Sequence, residues 1–370
     1  MAEYKKVERV IIAGGGTGGH IFPAIAIANA IKKLMPMTAI LFVGAKGKME
    51  MQKVPQAGYE IIGLDIAGFN RSSLLKNVWL PFKVAKSLWQ VSRIFKEFKP
   101  DVVIGVGGYS SFPVLRYAQG QGMTTYIHES NSFAGKANMM LGKKATKIFT
   151  ASPGMEDFFP KDKILITGNP VRKILVEGEV DKKEALTFFG LSENIPTVLV
   201  VGGSLGAQSI NEAIAESLSK FEGEGLQLIW QTGERFFETA RLLAEPFRNV
   251  FVSNFIQRME FAYSAADIIV SRSGAMAVAE ICLAKKPVIF IPYPHAAEDH
   301  QTVNAQTLVR ENAAMMIADR NVKLELFESI TSLVKDEFRK EELVKHIAAF
   351  AIRDADDIIA NEILFKQNNQ

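Results

Sequence analysis

Cysteine is nearly missing from this chain, with one, Cys282, among 370 residues. A lone cysteine excludes an intrachain disulfide framework and any multi-cysteine zinc site, and it suits a reducing compartment. A dominant sign of charge is missing as well. Lys plus Arg number 43 and Asp plus Glu 40, a net +3 that gives no reason to expect nucleic acid as a partner. No run approaches the ~18 apolar residues of a membrane-spanning helix. The opening "MAEYKKVERV" passes almost directly into a strand-like run, without the apolar segment of a secretory signal. These absences lead to the expectation of a cytoplasmic protein, or one attached to a membrane from that side alone.

What is present is an ordinary soluble balance, 48% apolar and 22% charged, on a chain long enough for two cores. Short β-branched runs alternate with longer helical patterns. Strands are predicted at Val7–Ala13, Ala39–Val43, Glu60–Leu64, Val102–Gly105, Thr124–His128 and Lys147–Thr150, with helices such as Ile21–Leu34 and Val78–Phe98 between them. "GNPVR" at 168–172 interrupts the pattern. It restarts at Thr197, with further strands at Gln227–Gln231, Val250–Ser253, Ile268–Ser271 and Val288–Ile291. "TVLVVGGSLGAQSINEAIAESL" reads as a second copy of the opening "RVIIAGGGTGGHIFPAIAIANAI". Strands separated by helices imply βαβ units and parallel sheets. The expected fold class is α/β, two Rossmann-like doubly wound domains hinged near 168–172 and facing a central cleft. A final helix from His346 could pack on either domain.

The loop "GGGTGGHIFP" at 14–23 follows the first strand. Glycines there let the backbone approach a ligand, and the helix N-terminus offers free N–H groups to a phosphate. A tight structural turn is the plainer alternative. Gly14, Gly16 and Gly19 satisfy G-x-G-x-x-G, but the dinucleotide version needs an acid at the end of the second strand. That strand ends "LFVGAKGK" with no acid before Glu50, and no G-x-x-x-x-G-K-[ST] occurs, so the oxidoreductase and P-loop readings are weak. His20, in the first turn of the next helix, has an intrinsic pKa suited to taking a proton from a hydroxyl. It could equally hydrogen-bond its own loop.

"SRSGAMAVAE" at 271–280 is a strand end, a glycine turn and a helix carrying Glu280, whose carboxylate can accept from a ribose diol or simply face solvent. "IPYPHAAEDHQTVNA" at 291–305 has the polar density of a binding loop. "GVGGYSSFP" and "IHESNSFAG" follow strands of the first half, which places Tyr109, Ser110, His128, Glu129 and Asn131 toward the cleft. His128–Glu129 lacks the H-E-x-x-H spacing of a zinc site, so no metal is expected. Asp354 and Asp356 form a D-x-D that reads as a solvated helix face.

Taken in order, "GGGTGGHIFP", "GVGGYSSFP", "IHESNSFAGKAN", "GNPVR", "GGSLGAQSIN", "SRSGAMAVAE" and "EDHQTVNA" resemble the MurG family. Its members are UDP-N-acetylglucosamine:N-acetylmuramyl-(pentapeptide) pyrophosphoryl-undecaprenol N-acetylglucosamine transferases. The resemblance implies a GT-B enzyme that inverts configuration while moving GlcNAc from UDP-GlcNAc to the 4-hydroxyl of MurNAc in lipid I, giving lipid II. It implies an acceptor domain of 1–168 plus the helix at about 348–370, and a donor domain of 169–347. The acceptor diphosphate would lie on Gly14, Gly15, Gly16, Thr17, Gly18 and Gly19 with Tyr109 and Ser110. His20 would be the base, with Glu129 or Asp101 next in line. Donor contacts would come from Thr17, Gly18, Gly19, Asn131, Arg172, Ser204, the main chain of Ile256, Ala275, Met276, Glu280, His300 and Gln301. Two positions depart from the common pattern: "HESN" replaces "HEQN", and His300-Gln301 replaces a Gln-Gln pair. No cofactor is required, UDP-GlcNAc being substrate; a divalent ion could only assist.

A polyprenyl-linked acceptor forces a membrane encounter, at the cytoplasmic face of the bacterial plasma membrane. "SLLKNVWLPFKVAKSLW" at 73–89 offers Leu75, Trp79, Phe82 and Lys83 to an anionic surface, although most apolar residues of such a helix should face their own sheet and Pro81 interrupts the pattern. Cell-wall synthesis and division proteins are the protein partners the resemblance implies. The rival functions are a GT-B enzyme on another acceptor such as diacylglycerol, a UDP-GlcNAc 2-epimerase, and a nucleotide-sugar-binding subunit without activity.

Overall fold

The computed structural model describes residues 7–66, 80–171, 180–203 and 205–365, with only the backbone at Leu80, Pro81 and Ala297. Its described residues form two compact units, one drawn from Met1–Arg172 with Asp354–Gln370, the other from Lys173–Arg353. Each is built on an all-parallel sheet.

The first sheet contains β1 (Arg9–Ala13), β2 (Ala39–Ala45), β3 (Glu60–Leu64), β4 (Val102–Gly105), β5 (Thr124–Glu129), β6 (Lys147–Thr150) and β7 (Ile164–Ile166). Their order is β3-β2-β1-β4-β5-β6-β7. The second contains β8 (Thr197–Val201), β9 (Gln227–Gln231), β10 (Val250–Ser253), β11 (Ile268–Ser271), β12 (Val288–Phe290) and β13 (Met315–Met316), in the order β10-β9-β8-β11-β12-β13. The two edge strands β7 and β13 are additions to the sequence-based expectation. At three and two residues they are too short to show a hydrophobic period.

Helices cover both faces of a parallel sheet, so its strands bury side chains on both sides and read as continuous apolar runs. Val10 and Ile12 lie in one apolar cluster and Ile11 and Ala13 in the opposite one, all without solvent exposure. β8 repeats this, with Val198 and Val200 on one side and Leu199 on the other. Full burial of such a side chain is worth about 1.5–3 kcal/mol.

The register levels the carboxyl ends. Ala13 pairs with Val43 and Gly105, and Ser271 with Val201 and Phe290. Strand order reverses between β1 and β4 and between β8 and β11. Ligands of doubly wound sheets bind at such switch points, beyond the carboxyl ends. The glycine loops leave the sheets at these two points.

The Ala355–Phe365 helix packs Ile359, Ala360 and Ile363 against Ile27, Ala28 and Ile31 of the Gly18–Leu34 helix. Lys33 pairs with Asp357 at 3.1 Å, and Lys147 with Glu362. Residues 348–353 stay with the second unit, where Phe350 packs on the core that holds Ile347. The D-x-D divides: Asp354, just before the helix, is exposed as expected, whereas Asp356 is buried in the first turn, where unpaired amides favour a carboxylate.

Helix Leu80–Phe98 has Pro81 in its first turn, where a missing N–H costs nothing, rather than interrupting it. Val91, Ile94 and Phe95 join the core, while Phe82 and Trp89 are 68% and 59% exposed. Lys83 is exposed, whereas Lys86 pairs with Asp65 at 2.9 Å. Together with Lys46 it holds the Asp65 carboxyl down at about 2. Leu75 and Trp79 lie outside the described residues. Among the described residues no helix is long and apolar enough to cross a membrane.

Candidate functional site

The loop after β1 spends its first amides on the protein itself. Gly14 N–H donates to the Val43 carbonyl at 3.1 Å, Gly15 N–H to the Gly107 carbonyl at 3.3 Å, and Gly16 N–H to Glu50 Oε2 at 2.9 Å. A diphosphate lying on Gly14–Gly16 would therefore find their amides already engaged. Thr17, Gly18 and Gly19 fit that task. Thr17 is the N-cap of the Gly18–Leu34 helix, and a helix leaves its first amides without internal acceptors.

Gly15 must be glycine. Its φ is +146°, and a Cβ there would stand 2.3 Å from the Glu50 carboxyl carbon. Glu50 itself is 1% exposed, and its other oxygen accepts the Ala45 N–H at 3.0 Å.

His20 hydrogen-bonds its own loop: Nδ1 lies 3.1 Å from the Gly15 carbonyl oxygen and 3.3 Å from Thr17 Oγ1. A carbonyl oxygen only accepts, so Nδ1 carries the proton and the neutral ring keeps its lone pair on Nε2. The two roles weighed for His20 are thus compatible. The ring packs over Gly107, where a Cβ would come within 2.8 Å of Nε2 and Cδ2.

The rest of the first rim divides. Tyr109 is half-buried, and burial, reinforced by the Glu50 charge, pushes its phenol above the ordinary value. Ser110 is buried, not open to the rim. His128 is also buried rather than facing outward; burial drives its pKa down to about 4, the Gly168 backbone opposing and the His20 charge assisting. Glu129 is 3% exposed and satisfied by its own loop. Its Oε1 accepts from the Asn131 N–H at 3.1 Å, and its Oε2 from the Gly135 N–H at 3.0 Å and Asn138 Nδ2 at 2.9 Å. This geometry assigns Glu129 to holding the loop, with Asn131 beside it, rather than to taking a proton. Asp101 precedes β4 and accepts from the Glu8 and Arg9 amides, at the amino-terminal end of the strands, opposite the glycine loops. It is excluded as a base by position.

Of the expected donor contacts, Ser204 and Arg172 lie outside the described residues. The loop after β8 is held by Gln231, whose Nε2 donates to the Gly203 carbonyl at 3.1 Å while its Oε1 accepts the Ile256 N–H at 2.9 Å. The Ile256 main chain therefore has its carbonyl, and not its amide, left for a base. Ala275 and Met276 open the Ala275–Ala284 helix after the Gly274 N-cap. Glu280, on the same helix, accepts from the Tyr263 hydroxyl at 3.1 Å. His300 and Gln301 open the His300–Arg310 helix after two left-handed residues, Glu298 and Asp299. Gln301 Oε1 accepts the Tyr293 N–H at 3.0 Å, and its carbonyl accepts from Ser273 Oγ at 2.7 Å. Asn304 ties this helix to the Ser273 carbonyl at 3.1 Å.

Arg272 is the centre of these loops. It is buried, donates to the Ile291 and Pro292 carbonyls at 3.0 and 3.1 Å and to Ser209 Oγ at 3.0 Å, and pairs with Asp319. Sequence reasoning passed over Arg272, Gln231, Asn304 and Glu50. The first two had a signal, each being a polar residue at the carboxyl end of an apolar strand, "IIVSR" and "QLIWQ".

The glycosyltransferase family 28 N-terminal domain matches residues 10–150, and the C-terminal domain of that family matches residues 197–359. A Parabacteroides distasonis UDP-N-acetylglucosamine–N-acetylmuramyl-(pentapeptide) pyrophosphoryl-undecaprenol N-acetylglucosamine transferase is 51% identical, covering 96% of this chain and 97% of its own. The Phocaeicola vulgatus protein of the same name is 50% identical over 96% of this chain and 95% of its own. The crystal structure of Acinetobacter baumannii MurG superposes with a TM-score of 0.79 at 28% identity, covering 97% of this chain and all of that one. The paired Rossmann-like sheets are those of a GT-B glycosyltransferase. This chain belongs to the family of UDP-N-acetylglucosamine–N-acetylmuramyl-(pentapeptide) pyrophosphoryl-undecaprenol N-acetylglucosamine transferases.

Proposed function

We propose that the chain transfers GlcNAc from UDP-GlcNAc to the 4-hydroxyl of MurNAc in undecaprenyl-pyrophosphoryl-MurNAc-pentapeptide, converting lipid I to lipid II. The observation that carries this is identity of about half the residues over nearly the whole length of transferases bearing that name. The acceptor oxygen attacks C1 of GlcNAc opposite the leaving group. The O4–C1 bond forms, the bond from C1 to the phosphate oxygen breaks with its electron pair leaving on UDP, and the hydroxyl proton passes to His20 Nε2. With Nδ1–H fixed on the Gly15 carbonyl, the ring is in the tautomer this step needs.

The acceptor diphosphate rests on the Thr17, Gly18 and Gly19 amides. The donor's uracil meets the Ile256 carbonyl, its ribose diol meets Glu280 oriented by Tyr263, and its diphosphate meets Arg172, Ser204 and the first turn at Ala275–Met276. His300 and Gln301 serve the sugar. Helix amides and a guanidinium stabilise the departing UDP by preorganised electrostatics. The lipid-linked acceptor brings the chain to the cytoplasmic face of the plasma membrane, where Phe82 and Lys83 on the first turn after Leu75 and Trp79 meet anionic lipid; cell-wall synthesis and division proteins are its partners there.

Incubation with radiolabelled UDP-GlcNAc and a lipid I analogue should move label into the lipid fraction with release of UDP. Label retained in UDP-GlcNAc, or appearing as another UDP-sugar, would refute the assignment. Phe82→Glu with Lys83→Glu should lower co-sedimentation with anionic vesicles; unchanged binding removes this helix from the membrane contact.

A further inference from the structure

Glu50 is a buried carboxylate with no part in the reaction so far. It stands 34 residues from Gly16 in sequence, yet its Oε2 accepts the Gly16 N–H at 2.9 Å. That N–H and the Gly15 carbonyl belong to one peptide group. The same carbonyl accepts the Nδ1–H of His20 at 3.1 Å. Carboxylate and imidazole thus sit at the two poles of a single peptide dipole. Negative charge at the N–H pole pushes electron density toward the carbonyl oxygen and makes it a stronger acceptor. A stronger acceptor at Nδ1–H favours that tautomer, and favours the imidazolium that forms once Nε2 takes a proton.

We propose that Glu50 is the positioning residue of the base, fixing and polarising the Gly15–Gly16 peptide so that its carbonyl orients His20 and raises the proton affinity of Nε2. The arrangement is that of a carboxylate orienting a histidine, with a peptide group interposed. The glycine pattern supports it: side chains at Gly15 and Gly44 would each collide with the Glu50 side chain, at 2.3 and 2.6 Å, so the backbone is shaped around this acid. The titratable neighbours are Tyr109, which feels the Glu50 charge, and His128, which feels that of His20. A loop tether alone would need an acceptor for Gly16 but would leave the imidazole unchanged on its removal.

The inference rests on His20 as the base, and its test separates the two. In Glu50→Gln, one of the Gly16 and Ala45 N–H groups must face an amide NH₂, and the charge is gone. In full-length protein with ¹⁵N-labelled histidine, NMR should show the His20 ring moving from the Nδ1–H tautomer to a mixture, with a lower pKa. At saturating substrates kcat should fall about tenfold to a hundredfold. The KM for UDP-GlcNAc should stay within about twofold. In a His20→Gln background the same change should lower kcat no further. An unchanged His20 tautomer and pKa, or an equal loss of kcat in the His20→Gln background, overturns the proposal and leaves His20 as base. An unchanged kcat in His20→Gln alone overturns the base reading and this proposal with it. Should Glu50→Gln fail to fold, Glu50→Asp, which keeps the charge one methylene further from Gly16, is read by the same tautomer and pKa.

Discussion

The loops after β1 and β8 leave equivalent central strands where strand order reverses, and both read strand, glycine turn, helix. What holds them differs. The first is tied by a buried carboxylate, Glu50, accepting from Gly16. The second is tied by a neutral carboxamide, Gln231, donating to the Gly203 carbonyl, and its neighbouring loops by the guanidinium of Arg272. An anion beneath Gly16 suits the imidazole proposed to gain a proton there, with the proposed acceptor diphosphate kept to the helix amides at Thr17–Gly19. A neutral or cationic frame around the second suits the donor diphosphate proposed there. One backbone device serves two chemistries because the side chain that satisfies its amides or carbonyls sets the local field.

Removing the cationic tie should have the largest effect. Arg272→Met strips the charge that Asp319, Ser209 and two carbonyls share, and should cost about 3–5 kcal/mol in urea unfolding. The loops diverge next under alanine. Gly15→Ala meets both a positive φ and the Glu50 carboxyl, and should cost about 3–4 kcal/mol. Gly203→Ala meets the positive φ alone, with no atom within 4 Å of the new Cβ, and should cost only about 1–2 kcal/mol. Equal losses would erase the distinction between the two turns.

Acid acts on the first unit through His128. Its pKa is lowered from 6.5 to about 4 by burial, so the unfolded chain binds the proton first. Stability is full above pH 6.5 and falls as the pH drops toward 4, by about 3 kcal/mol in all. Unfolding of His128→Phe should lack that acid-side slope; an unchanged slope would place its origin elsewhere. The smallest effect belongs to the neutral tie. Gln231→Leu leaves Ile256 N–H without its acceptor and should raise the KM for UDP-GlcNAc about tenfold, with kcat nearly unchanged.

Strand positions were legible because both faces of a parallel sheet are apolar, as β4 and β9 show with the boundaries expected for them. The glycine turns were legible for the same reason, marking where apolar runs stop. Which amides remain for a ligand was not, since Gly14, Gly15 and Gly16 are satisfied by Val43, Gly107 and Glu50, all distant in sequence. Glu50 registered only as an acid too late for a dinucleotide site; its return beneath the loop is a property of the fold. Asp101 fails on a simpler ground. It precedes its strand, and in a parallel sheet that puts it at the end of the strands opposite the glycine loops.

Whether the β1 loop supplies the base is decided by the pH–rate profile of His20→Gln at saturating UDP-GlcNAc and lipid I analogue. With His20 as the base, kcat should fall by about 10²–10⁴ and the acid-side limb of the profile should vanish. An unchanged kcat, or a surviving acid limb with the wild-type midpoint, would contradict it.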